Sequence, residues 1–150
     1  MQLKCGQMIE AVGDIWDHAG RSMIVITTNG SLTGDGRAIL GRGVARQAAH
    51  IFPELAVKLG RFIAEHGNHV CDLGCGIVSF PVEESAWSLP DLQIIARSVR
   101  ELVALTDSAG WQQVIVPRPG CGGGGLAWHA VKPLLEPWLD ERFLLISCQP

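Results

Sequence analysis

Val114-Ile115-Val116-Pro117-Arg118-Pro119-Gly120-Cys121-Gly122-Gly123-Gly124-Gly125-Leu126-Ala127-Trp128 is the stretch that decides the fold. Three consecutive β-branched apolar residues suit a strand buried on both faces, and five of the six residues from Gly120 to Gly125 are glycine. Val131, Leu134, Leu135, Trp138 and Leu139 then recur at i, i+3, i+4, i+7 and i+8, one face of a helix. The glycines therefore join a strand to a helix. A loop in that position can turn successive backbone N–H groups toward one point beside the positive end of the helix dipole, and no Cβ keeps a ligand away from them. Phosphate is held in this way. The competing reading is a flexible linker, which glycine runs commonly are. A linker separates domains, however, and this run lies between two apolar elements with too little chain behind it for a second domain.

With 150 residues, 47% of them hydrophobic and 18% charged, the chain reads as one domain over 1–150. Such a domain buries roughly 70% of its unfolded surface. A net charge of −3 provides no broad basic field, so strong intrinsic nucleic-acid binding is not expected and a phosphate ligand is small or locally gripped. No apolar run approaches the ~20 residues that span a bilayer, and Met1 to Glu10 lacks the basic-then-apolar layout of a signal peptide. The expectation is a cytoplasmic protein without membrane contact. Cys5, Cys71, Cys75, Cys121 and Cys148 are odd in number and contain no Cys-x-x-Cys pair, so free thiols are expected. Cys71 and Cys75 have no second pair to complete a tetrahedral zinc site, and no metal or cofactor is expected.

In chain order, Met8 to Val12 reads as a first strand, followed by Gly13-Asp14-Ile15-Trp16. Asp14 is either the N-cap of a helical turn or a carboxylate at the mouth of the sheet that accepts a hydrogen bond from a ligand amine. Ser22 to Thr28 is a second buried strand, ending at Asn29-Gly30. The chain runs on through Gly41-Arg42-Gly43-Val44 into a helix with Val44, Ala48 and Ile51 on one face, broken at Pro53 and resumed by Leu55, Leu59, Phe62 and Ile63. Arg42 either supplies a cation near phosphate or faces water, the commoner fate of a lone Arg. Val70 to Cys75 and Ile77 to Phe80 read as short strands around a turn. Ser88-Leu89-Pro90-Asp91 looks like a helix start, Leu92 to Val103 keep helical spacing, and Gly110 closes that helix. Phe143 to Ile146 is a last strand.

Strands alternating with helices imply an α/β sheet covered on both faces. In such sheets ligands sit beyond the carboxyl ends of the strands, where Asp14, Asn29, Gly41 to Gly43 and Gly120 to Gly125 all fall.

Together these segments resemble the macro domain, the ADP-ribose-binding fold. Gly13-Asp14-Ile15 resembles the family's Gly-Asp-Ile, Thr27-Thr28-Asn29 the end of its Asn-Ala-Ala-Asn strand, and Gly41-Arg42-Gly43-Val44-Ala45 its first phosphate loop. Pro117-Arg118-Pro119-Gly120-Cys121-Gly122 with Gly124-Gly125-Leu126 and Trp128 is most similar to the branch containing DNA- and glutamate-linked ADP-ribosyl hydrolases, and Phe80-Pro81-Val82 followed by Trp87 agrees. The resemblance implies a three-layer α/β/α fold around a central mixed, mostly parallel sheet. It implies a partner that is ADP-ribose or an ADP-ribosylated macromolecule. Asp14 would bind the adenine amine with Ile15 beside it, and Asn29 the distal ribose. Gly41, Arg42, Gly43 and Val44 with Gly120, Cys121, Gly122, Gly123, Gly124, Gly125 and Leu126 would hold the diphosphate and distal ribose.

The chain also departs from that pattern. The first Asn of Asn-Ala-Ala-Asn falls at Ile26, and Ser31 to Ala38 lengthen the first loop. The lysine of the related hydrolases, after Phe-Pro-x, is Glu83; their loop acid falls at Gly124, an Asn at Gly123 and the Asp before Trp128 at Ala127. Cleaving the bond to the distal ribose needs an acid, base or nucleophile beside it, and this loop offers only glycine. Glu83 and Glu84 read as a solvated acid pair. A binding module without efficient turnover is the first expectation. A hydrolase using Asn29, Glu83 and a bound water is the second, and a different mononucleotide-binding protein the third.

Overall fold

Val114, Ile115 and Val116, each at most 1% exposed, form the core of a strand placed third in a sheet of six. The computed structural model describes residues 6–149; the expectation for Cys5 lies outside them. The strands are β1 (Ile9–Val12), β2 (Met23–Asn29), β3 (Cys71–Gly74), β4 (Ile77–Glu83), β5 (Val114–Pro117) and β6 (Phe143–Ser147), and the sheet order is β1-β6-β5-β2-β4-β3. Only β3 runs antiparallel to its neighbour, so the sheet is mixed and mostly parallel.

Strand side chains alternate between faces, and each face is packed. Val25, Val78, Phe80, Val114, Val116 and Leu145 meet α3 (Leu92–Ala109) and α4 (Trp128–Leu135). Ile24, Ile26, Ile77, Ile115 and Ile146 meet α1 (Gly43–Ile51) and α2 (Leu55–His66). The result is the three-layer α/β/α arrangement. A short 3-10 helix, Ile15–His18, follows β1. No helix among the described residues is long and apolar enough to cross a membrane.

The caps expected for α3 are present: the Asp91 carboxylate accepts from Gln93 N–H, and Gly110 ends the helix at φ 73°. Two elements differ from the sequence reading. The last helix stops at Leu135, because Pro137 has no N–H to continue the ladder, and Trp138 turns out to 44% exposure while Leu139 is buried from the turn that follows. β4 runs past Phe80 to Glu83 with Pro81 inside it. β3 begins at Cys71, opposite Ser79, which leaves β4 from Phe80 onward unpaired on that side, the position where a strand tolerates proline.

The added residues after Asn29 fold into a small hairpin, with Leu32 bridged to Ala38 and Thr33 N–H donating to the Arg37 carbonyl. The hairpin lies on α2: Ala38 N–H donates to the Ala56 carbonyl at 2.8 Å, and a Cβ at Gly60 would stand 2.1 Å from the Gly36 carbonyl oxygen. Gly60 is therefore fixed by close approach, although glycine costs a helix interior about 1 kcal/mol. Gly60→Ala should lower stability by about 1–3 kcal/mol and the melting temperature by several degrees. A melting temperature that rises with the better helix former would refute the contact.

Candidate functional site

The carboxyl ends of the parallel strands bring the sequence-marked segments to one rim. Asp14 follows β1, Asn29 ends β2, Glu83 ends β4, and the glycine loop leaves β5. Asn29 and Glu83 are register partners across β2 and β4 after a bulge at Thr28/Asn29. Arg42 stands at the N-terminus of α1 and its guanidinium reaches Glu83 Oε2 at 3.0 Å. That pair draws the first glycine loop onto the end of β4.

Glu83 corrects the expectation of a solvated acid pair. Its residue is 8% exposed and only Glu84 faces solvent. Strand alternation is the reason, since Glu83 lies on the same face as Ile77, under α1, whereas Glu84 is beyond the strand. Burial pushes the Glu83 carboxyl above its ordinary value, and the Arg42 guanidinium opposes that shift. Arg42 in turn is neither a free cation nor simply solvent-facing.

Asn29 is held at both ends of its amide. Its Nδ2 donates to the Ile39 carbonyl at 3.1 Å and its Oδ1 accepts from Ser31 N–H at 2.9 Å, so the side chain braces the entry to the inserted hairpin. Asp14 takes the capping role: Oδ1 accepts from Trp16 N–H at 3.0 Å. Ile15 turns into the core and Trp16 Nε1 donates to Gln47 on α1 at 2.8 Å, so this turn is fixed to the first glycine helix.

Within the second loop the glycines divide by role. Gly120 and Gly125 have φ of 73° and 81°. A Cβ at Gly124 would stand 2.5 Å from Pro90 Cγ and 2.7 Å from the Gly120 carbonyl oxygen. Those three are needed by the fold. Gly122 and Gly123 have neither a positive φ nor any atom within 4 Å of an added Cβ, so nothing in the fold itself demands glycine there. The N–H groups of Cys121, Gly125 and Leu126 donate to the loop's own carbonyls at 3.2, 3.2 and 2.9 Å. Those of Gly122, Gly123 and Gly124 make no such bond among the described residues. The Cys121 side chain packs against the core, and burial raises its thiol pKa.

The loop is clamped at its two ends by Glu10 of β1, which the sequence reading passed over. Glu10 accepts from Lys132 Nζ at 2.7 Å and from Trp128 Nε1 at 2.9 Å, and Arg118 lies 4.0 Å away. The Arg118 guanidinium also lies 4.9 Å from the centre of the Trp128 ring. The hydrogen bond from Lys132 is the main cause that holds the Glu10 carboxyl below its ordinary value. A lone polar residue in a short edge strand gave no sequence signal for this. α1 supplies a second donor group, since its first turn carries no side-chain cap.

Comparison with known proteins fits this arrangement. No family model matches the chain. A curated relative, the DNA ADP-ribosyl transferase-DNA ADP-ribosyl glycohydrolase fusion protein of Thermosipho africanus, is 25% identical over 69% of this chain, which spans about a third (33%) of that protein's length. The macrodomain of Thermus aquaticus DarG superposes with a TM-score of 0.74 at 18% identity, covering 97% of this chain and 100% of that one. The macrodomain of Mycobacterium tuberculosis DarG gives 0.69 at 23% identity, covering 95% and 100%. Thermosipho africanus DarTG in complex with ADP-ribose gives 0.73 at 18% identity, covering 96% and 44%.

The Arg42–Glu83 pair has a pH signature. Arg42 favours only the ionised carboxylate, and the Glu83 pKa, already raised in the folded protein, would rise further without it. Arg42→Ala should cost about 1–2 kcal/mol at pH 7, where Glu83 is left charged, buried and unpaired. As pH falls to 4 Glu83 protonates and the difference from the unaltered protein should shrink. Urea denaturation at both pH values tests this, and an equal loss at each would show that the pair does not carry the effect.

Proposed function

Because the chain has the macrodomain fold, we propose that it binds ADP-ribose, or an ADP-ribosyl group, along the rim and does so without efficient turnover. The observation that carries this reading is the set of unengaged amides at Gly122, Gly123 and Gly124, in a loop whose outer glycines are fixed by the fold while Gly122 and Gly123 are left open. Unpaired backbone N–H groups beside open space suit a diphosphate, and the uncapped first turn of α1 adds a second set. Asp14 receives the adenine amine through the oxygen its cap leaves unused, and Asn29 meets the distal ribose. The Thermosipho africanus structure that contains ADP-ribose shares this fold and supports the ligand class.

Turnover is a separate matter. Amides that grip the diphosphate bind ground state and transition state alike, and uniform binding does not speed the chemical step. Glu83 and Gly124 stand where the resemblance expects a lysine and an acid, so the loop brings no proton donor to the ribose. One observation favours a second reading. Glu83 is buried, and it is the register partner of Asn29. In that reading Asn29 orients the ribose and Glu83 acts as general base on a bound water, with Arg42 as its positioning residue. The curated relative's name includes a DNA ADP-ribosyl glycohydrolase, which makes release from nucleic acid the substrate class to test beside carboxylate esters.

Calorimetry with ADP-ribose, AMP and NAD tests the ligand, and ADP-ribose should bind and stabilise the fold by about 2.7 kcal/mol at a hundred times its dissociation constant. Asp14→Ala should weaken ADP-ribose ten- to a hundredfold, the value of a charge-assisted hydrogen bond, while ribose 5-phosphate, which has no adenine, loses far less. Equal losses would make Asp14 a helix cap only. Labelled ADP-ribose attached to DNA or to glutamate should be released no faster than in buffer. Release that disappears in Glu83→Gln would establish the hydrolase reading instead.

A further inference from the structure

From Phe80 to Glu83 the outer edge of β4 has no strand beside it, and carbonyls along this stretch are met by other groups instead. Ser98 Oγ of α3 donates to the Pro81 carbonyl at 2.7 Å, and Asp91 N–H to the Val82 carbonyl at 2.9 Å. At the end of the series stands Asn68, in the loop between α2 and β3, whose Nδ2 donates to the Glu83 carbonyl at 2.9 Å. The same side chain lies against Gly30, where an added Cβ would stand 3.0 Å from Asn68 Cγ. Gly30 N–H in turn donates to the Glu84 carbonyl at 3.2 Å. One half-buried amide thus touches the ends of both β2 and β4, beside the register partners Asn29 and Glu83. The loop that carries it is pinned to α3. Arg97 donates to the Asn68 backbone carbonyl, and Glu101 accepts from Val70 N–H at 3.0 Å and lies 2.7 Å from His69 Nδ1. Asn68, His69 and Val70 are each tied to that helix, which fixes where the Asn68 amide stands.

We propose that Asn68 is a positioning residue for the distal-ribose end of the rim: it sets how far the Asn29 turn stands from the end of β4, and so sets affinity for the ribose through Asn29. The inference rests on the ADP-ribose reading, which places that ribose at Asn29. The Asn29 amide is oriented by the Ile39 carbonyl and Ser31 N–H, both in the inserted hairpin, and neither bond ties it to β4. The ladder between β2 and β4 shifts register at Thr28/Asn29, so the regular strand pairing is interrupted where the spacing matters. Bonds from outside the pair then decide it, and Asn68 makes contact with both sides. Without that donor the Glu83 carbonyl is left to find another partner, and the strand end moves with it. A binding constellation works only when such supporting bonds hold it to within about 0.5 Å.

The test is calorimetry of the intact chain with ADP-ribose and with ADP, which lacks the distal ribose. Asn68→Ala removes the side chain, whereas Asn68→Asp keeps its shape against Gly30 and replaces the donor with an acceptor. Each should weaken ADP-ribose about tenfold, the scale of one lost hydrogen bond, and leave ADP unchanged. A purely structural role would lower the folded fraction and weaken both ligands alike. Ser98→Ala supplies the control, since it removes the donor to the Pro81 carbonyl further down the same strand. It should lower the melting temperature without changing the ratio of the two affinities. Equal losses for the two ligands, no loss for ADP-ribose, or a ratio that Ser98→Ala shifts as much would overturn the inference while the ADP-ribose reading stands. An unaltered protein that binds ADP-ribose no better than ADP, or not at all, would overturn both.

Discussion

Glu10 of β1 closes a clamp on a loop that has almost no side chains of its own. Five glycines in six residues give up more conformational freedom on ordering than any other sequence would. The carboxylate ties down both flanks: Trp128 by its indole N–H, α4 through Lys132, and Arg118 by charge. Pro90 presses on the loop from α3's side, against Gly120 and Gly124. The few polar bonds sit at the edges of the loop, and its middle is left as bare backbone. That division lets Gly122, Gly123 and Gly124 keep their amides unspent without the loop becoming a tether.

The opposite edge of the rim is organised by charge. A carboxylate at the end of a buried strand would be costly beside an anionic ligand. Arg42 offsets it, and by doing so fixes the start of α1, whose first-turn amides need an anion or water. The Arg42 side chain is 60% accessible, so on the proposed reading a diphosphate at the first loop would compete with Glu83 for it, and binding would be linked to the ionisation of Glu83.

Much of the fold was legible because local and tertiary signals agreed. The Val114–Val116 run is a buried strand, Asp91 and Gly110 cap α3, and the glycine run joins a strand to a helix. The errors have physical causes. The strand was ended at Phe80, which hid the alternation that carries Glu83 under α1; Pro81 continues it because an edge position removes proline's usual cost. The stripe from Val131 to Leu139 suggested a longer helix, and Pro137 outranked it. Asp14 and Arg42 were left with two roles each because sequence does not say which partner is near. The first caps the 3-10 helix after β1, and the second pairs with an acid 41 positions away. Glu10 carried no sign, since its three partners, Arg118, Trp128 and Lys132, flank the glycine loop at the far end of the chain from it.

The central claim is that the middle of the second glycine loop donates to the diphosphate. The most direct measurement is a titration of isotope-labelled protein with ADP-ribose, following the backbone amide resonances of Gly122, Gly123 and Gly124. New hydrogen bonds to phosphate oxygen should move these three downfield as the site saturates, while the amides of Cys121, Gly125 and Leu126, already bonded within the loop, move less. Saturable binding that leaves Gly122 to Gly124 where they were would contradict the account.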